Sequence, residues 1–145
     1  MDHFEKANAY HKQGFNCCQS VLAAFSDITG LTEQASFDIG GGFGAGAGTG
    51  ELCGAISGAL LVLGLLYPHT QGEDREAKRK VFDLAKRFRQ RFFETFGHTR
   101  CGNLLRARCG VSEETTAARL GLPAHCDIMV VTAVEILEAL LRETA

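Results

Sequence analysis

Four cysteines stand where the sequence predicts helix starts. Cys17 follows Asn16, Cys53 follows a glycine-rich loop and Glu51, Cys101 follows Gly97-His98-Thr99, and Cys126 follows Gly121-Leu122-Pro123. A helix start exposes unpaired backbone N–H groups and the positive end of the helix dipole. That field favours thiolate over thiol, and thiolate is the form that attacks disulfides and ligates metals. Four such placements in one chain point to sulfur-based redox or metal chemistry. For any one buried cysteine alone, the small-hydrophobe role is the simpler reading.

The remaining motifs narrow the chemistry. The cysteines show no CxxC, zinc-finger or ferredoxin spacing. Cys17 and Cys18 are adjacent, so on a helix they point about 100° apart and only one faces a shared site. Asn16 as the cap makes that one Cys17, with Cys18 turned to a packing surface. Cys109 has no helix start of its own. His98 and His125 are candidate ligands or thiol activators through their closeness to Cys101 and Cys126. The segment GGGFGAGAGTGE, Gly40 to Glu51, lacks GxxxxGK[ST] and follows no strand, which removes the nucleotide-binding readings. Two remain open: a tight packing connection, or backbone amides turned toward a sulfur or metal centre at Cys53, with Gly50 and Gly54 as the cofactor-binding positions.

The elements that must position these residues all have a helical period. The pattern predicts helices over 2–12 with Phe4, Ala7 and His11 on one face, from Asn16 to Gly30, and from Thr32 to about 39. It predicts further helices over 52–67, 73–96 and 99–107, one capped by Ser112 and ending at Gly121, and a last one from Pro123 to about 142. Val81, Ala85, Phe88, Phe92 and Phe96 make the buried stripe of the long helix, with Asp74–Lys78, Glu76–Lys80 and Asp83–Arg87 as pairs four apart. The stretch from Leu52 to Tyr67 carries no charge, yet it is short for a membrane span of about 20 residues. It reads as a buried central helix. Gly54, Ala55, Gly58 and Ala59 let another helix come close, inside the subunit or across a homodimer interface. The expectation is one compact all-α domain over 1–145.

With 145 residues and 46% hydrophobic composition, the chain can bury a core without disulfide staples. A net charge of -2 supports no nucleic-acid or anionic-membrane partner. The polar, acidic start Met1-Asp2-His3-Phe4-Glu5 does not read as a signal peptide, so the expected compartment is the cytoplasm.

In order, these motifs resemble the C_GCAxxG_C_C family of putative redox-active proteins. Gly14-Phe15-Asn16-Cys17 with Gln19-Ser20-Val21-Leu22 is similar to its first cysteine motif. Glu51-Leu52-Cys53-Gly54-Ala55-Ile56-Ser57-Gly58 is similar to the central one, although the label puts Gly before Cys. Phe96-Gly97-His98-Thr99-Arg100-Cys101 matches the third, and Cys126 takes the fourth place. Cys18 and Cys109 fall outside the family set. The resemblance implies that Cys17, Cys53, Cys101 and Cys126 converge, as catalytic thiols or metal ligands of an oxidoreductase or electron-transfer protein with a redox partner protein. An iron–sulfur cluster, zinc or another thiophilic metal, or a dithiol/disulfide couple with no cofactor, all suit four thiols. From a different class comes a non-catalytic binding or assembly module with inert buried cysteines or a structural zinc.

Overall fold

Most helices of this protein begin where a short polar side chain takes up an unpaired backbone N–H. In the computed structural model, which describes residues 1–108 and 110–144, Asp2 accepts from Glu5 N ahead of α1 (His3–Lys12). Asn16 and Gln19 form a reciprocal capping box at α2 (Cys17–Ala24), which a turn of α3 (Ser26–Thr29) follows. Thr32 caps α4 (Glu33–Gly40). Asp74 caps α6 (Arg75–Phe96) through Ala77 N, and Thr115 caps α8 (Thr116–Arg119). The cap of α8 was expected at Ser112; Ser112 instead accepts the Thr115 hydroxyl and N–H with its carbonyl, one turn earlier. α5 (Gly54–Leu66), α7 (Cys101–Ala107) and α9 (His125–Thr144) complete an all-α architecture. Among the described residues the one extended pairing is an isolated antiparallel bridge between Leu52 and Arg100. Cys109 lies outside the described residues.

α5 is the central helix. Ala55, Ile56, Ala59, Val62 and Leu63 are fully buried, while Leu65 near its end is exposed, so the burial is not all-round. At 13 residues it spans about 20 Å, against a hydrocarbon core of about 30 Å. No helix among the described residues is long and apolar enough to cross a membrane. Its small face is filled from within the chain. A Cβ on Gly58 would stand 2.8 Å from the Cys18 carbonyl oxygen and 3.0 Å from Val21 Cβ, so α2 lies directly against α5. Cys18 is fully buried in that contact, as the capping register predicts.

The buried stripe of α6 is Leu84, Phe88, Phe92 and Phe96. Val81 and Ala85, expected on it, are only half-buried at its edges. The expected intrahelical ion pairs do not form; Arg87 and Arg91 reach across to Glu143 of α9 instead. α9 runs antiparallel to α1, and two histidine–carboxylate contacts join them. His3 pairs with Glu138 at 2.7 Å, and His11 pairs with Asp127. This second contact brings the start of α9 to the start of α2.

Candidate functional site

Cys17 is the first residue of α2. Its cap Asn16 also donates to the carbonyls of Gly40 and Gly41 at 3.2 Å, which ties the helix start to the glycine segment. That segment turns back beneath the next two cysteines. Glu51 N donates to Gly46 O, and a Cβ on Gly46 would meet Glu51 N at 2.4 Å and Cys101 Cβ at 2.9 Å. That backbone approach leaves no room for a side chain at Gly46, whose φ of +63° also suits glycine. Close packing is therefore present at Gly46.

Cys53 and Cys101 are aligned by the isolated bridge. Cys53 N donates to Thr99 O at 2.9 Å, and Cys101 N donates to Glu51 O at 2.6 Å. In that register the two cysteines are diagonal neighbours on one face of the pair. Cys53 is also the N-cap of α5, and Cys101 opens α7. Cys126 is the second residue of α9. All four helix-start placements therefore hold.

The four cysteines line one cavity of about 240 Å³. His11, His125, Gly54, Ala45, Leu104 and Met129 share its wall. Gly50 lies outside the lining and faces the Gly102 backbone, and His98 lies outside it too. Leu104 and Met129 are core residues, so the cavity opens from the apolar interior.

Burial, not helix-start geometry, sets most of the thiol chemistry. The expected lowering of the thiol pKa is seen at one cysteine of four, and there its cause is a neighbouring thiol rather than the helix start. The Cys17 thiol is held protonated by its hydrogen bond with Cys126 and by burial, with the nearby cysteines adding to the effect. Burial pushes Cys53 up to about 11, although the Ala55 and Ile56 amides pull the other way without closing a conventional cap bond. Cys101 is raised by burial and by Cys126. Desolvation outweighs the partial charge of a helix end, because a thiolate taken out of water loses several kcal/mol of hydration while the dipole returns about 0.3–2 kcal/mol. Cys126 is the exception. It accepts a hydrogen bond from Cys17, so its pKa falls to about 6 against the opposing effects of burial and Asp127, and His11 works in the same direction when its ring is protonated. The two share one titration, with the proton held on Cys17 and the negative charge on Cys126.

Two histidines complete the wall. The Asp127 carboxylate, only 8% exposed, accepts from His11 Nδ1, and His11 Nε2 faces Cys17 Sγ at 3.8 Å. An ionised carboxylate only accepts, so Nδ1 carries a proton, and in the neutral ring the Nε2 lone pair is turned to the sulfur. His125 donates to the Leu104 carbonyl, and burial followed by the charge of Arg108 depresses its pKa and keeps it neutral. Its Nε2 is buried without a partner among the described residues. Sequence reasoning placed His125 but read His11 only as part of a packing face, and did not single out Asp127. The one local signal was the adjacency of Asp127 to Cys126.

Four thiols are suitable donors for zinc or an iron–sulfur cluster. Among the described residues, however, no three His, Cys, Asp or Glu side chains converge on a point that could hold a metal ion. Cys17 and Cys126 are the two thiols whose ionisation is coupled by a hydrogen bond. Cys17, Cys18, Cys53, Cys101 and Cys126 are free thiols.

The chain is thus all-α, with four thiols on one partly apolar cavity beside a histidine–carboxylate pair. The chain belongs to the C_GCAxxG_C_C family, described as putative redox-active protein, whose model matches residues 15–140. No curated protein and no solved structure matches it.

Proposed function

We propose that this protein is a thiol–disulfide oxidoreductase whose exchange couple is Cys126 and Cys17. One observation carries the reading: Cys17 and Cys126 share a cavity and a hydrogen bond that lowers the Cys126 pKa below the ordinary thiol value. A thiolate at neutral pH beside a second thiol is what exchange requires.

The Cys126 thiolate attacks one sulfur of a substrate disulfide. A mixed disulfide forms at Cys126, and the other substrate sulfur leaves as thiolate. Cys17 then gives its proton to His11 Nε2, which Asp127 holds in the accepting tautomer. The Cys17 thiolate attacks the Cys126 sulfur, the Cys17–Cys126 disulfide closes, and the second substrate thiolate departs and takes up a proton. One substrate disulfide becomes two thiols as one protein dithiol becomes a disulfide. Cys53 and Cys101 remain protonated and wall the cavity.

The test is peptide mapping by mass spectrometry after the reduced protein meets one equivalent of a disulfide. The expected product is a disulfide joining Cys17 to Cys126. Its absence would overturn the reading. So would stoichiometric iron and acid-labile sulfide in anaerobically purified protein, lost on Cys17→Ser, which would make the four cysteines ligands instead.

A further inference from the structure

The cavity beside the exchange couple also carries information about what enters it. Its volume is about 240 Å³. An engineered apolar cavity of about 150 Å³ takes benzene, so by proportion this one takes roughly ten heavy atoms. Ala45, Leu104, Leu105 and Met129 give it apolar walls. Among the described residues, no Lys, Arg, Asp or Glu side chain lines it. A carboxylate carried inside would lose water and meet the like charge of the Cys126 thiolate, which is costly. One polar group is left over: His125 Nε2 is buried and has no partner, while the ring donates from its other nitrogen to the Leu104 carbonyl. That tautomer leaves Nε2 a pure acceptor. A buried acceptor without a donor costs free energy that a bound hydroxyl or amide N–H would recover.

We propose that this cavity binds small uncharged disulfides carrying a hydroxyl or amide donor, which His125 Nε2 accepts while the disulfide lies against Cys126. The inference rests on the exchange reading above and names the substrate class of that site. The exchange itself is the balanced one already given, with the bound disulfide as the oxidant. Protein disulfides and large anionic disulfides are disfavoured by the small volume and by the Cys126 thiolate in its wall.

The test is anaerobic stopped-flow reduction by the full reduced chain, each disulfide normalised to its rate with free 2-mercaptoethanol. Bis(2-hydroxyethyl) disulfide is expected to react at least about tenfold faster than oxidised glutathione or insulin. In His125→Leu, its rate falls about five- to tenfold, the usual scale of one buried hydrogen bond. The rate with diethyl disulfide, which has no donor, falls by much less, and an unchanged thermal midpoint shows that the variant is folded. Equal normalised rates across the panel, no loss in His125→Leu, or an equal loss with diethyl disulfide each overturn the substrate class and leave the exchange couple standing. Rates with every disulfide no faster than those of Cys126→Ser overturn both.

Discussion

Cys126 and Cys17 divide one proton unequally, and that asymmetry makes their reactivity depend on pH. Cys126 ionises at about 6, so its alkylation rate should climb between pH 5 and 7, where an ordinary thiol is still protonated. Cys17→Ala removes the donated hydrogen bond. The midpoint of the iodoacetamide rate–pH profile should then rise by about one unit or more toward the usual thiol value. Cys18→Ala should leave the midpoint in place, because Cys18 is fully buried against α5 and its own ionisation is pushed up to about 12. A profile moved by Cys18→Ala and untouched by Cys17→Ala would reverse the assignment. His11→Gln tests the second half of the exchange. Without the acceptor at 3.8 Å, closure of the disulfide should slow by about 10²-fold, the lower end for a positioned general base. The mixed disulfide on Cys126 should then accumulate and be seen by intact mass. The cysteines of this site were legible in sequence, because each carries a local helix-start signal. The order of their pKa values was not, since it depends on how much water each sulfur loses after packing. His11 and Asp127 were missed for the same reason. They are 116 positions apart, and only the antiparallel docking of α1 on α9 joins them.

At the scale of elements, the contact of α2 with α5 keeps Cys17 at the cavity and Cys18 in the core. It depends on Gly58, where a Cβ would already collide with the Cys18 carbonyl at 2.8 Å. The obstacle is backbone, which cannot swing aside. Gly58→Leu should therefore destabilise the fold by about 1–3 kcal/mol or more, read as a lower denaturant midpoint. A variant that melts like the wild type would mean that α2 can move off α5 at little cost. Gly64, whose Cβ would meet nothing within 4 Å, is the matched control on the same helix, and Gly64→Ala should be neutral or slightly stabilising. The glycine pattern of α5 announced this close approach in the sequence, but not whether α2 or a second subunit would supply the partner. Helix phases were equally legible: Phe88, Phe92 and Phe96 are buried as the period predicts. The helix ion pairs were not, because Glu143 of α9 offers Arg91 a two-pronged partner at 2.6 and 2.8 Å that sequence spacing cannot show.

On the scale of the whole molecule, the proposed couple ties together distant parts of the chain. Cys17 opens α2 near the beginning, and Cys126 opens the last helix. A disulfide between them closes a loop of about 110 residues, which in the chain-entropy limit destabilises the unfolded state by about 4–5 kcal/mol. Oxidation should therefore raise Tm by on the order of 10 °C relative to the reduced protein. The shift should vanish in both Cys17→Ala and Cys126→Ala, while Cys18→Ala keeps it. Linkage makes the same quantity act on the redox equilibrium. If the disulfide stabilises the fold by that amount, the fold favours the disulfide over the dithiol equally, and the potential of the couple lies about 80–100 mV below that of the same pair in the unfolded chain. The reduced protein is then the electron donor, although the stabilised Cys126 thiolate favours the dithiol and offsets part of that difference. Equilibration of the folded and urea-unfolded chain with a glutathione redox buffer measures the difference directly. A folded couple that is no more reducing than the unfolded one, with the Cys17–Cys126 bond confirmed by mapping, would mean that closing the bond strains the contact of α2 with α9 by as much as loop closure contributes.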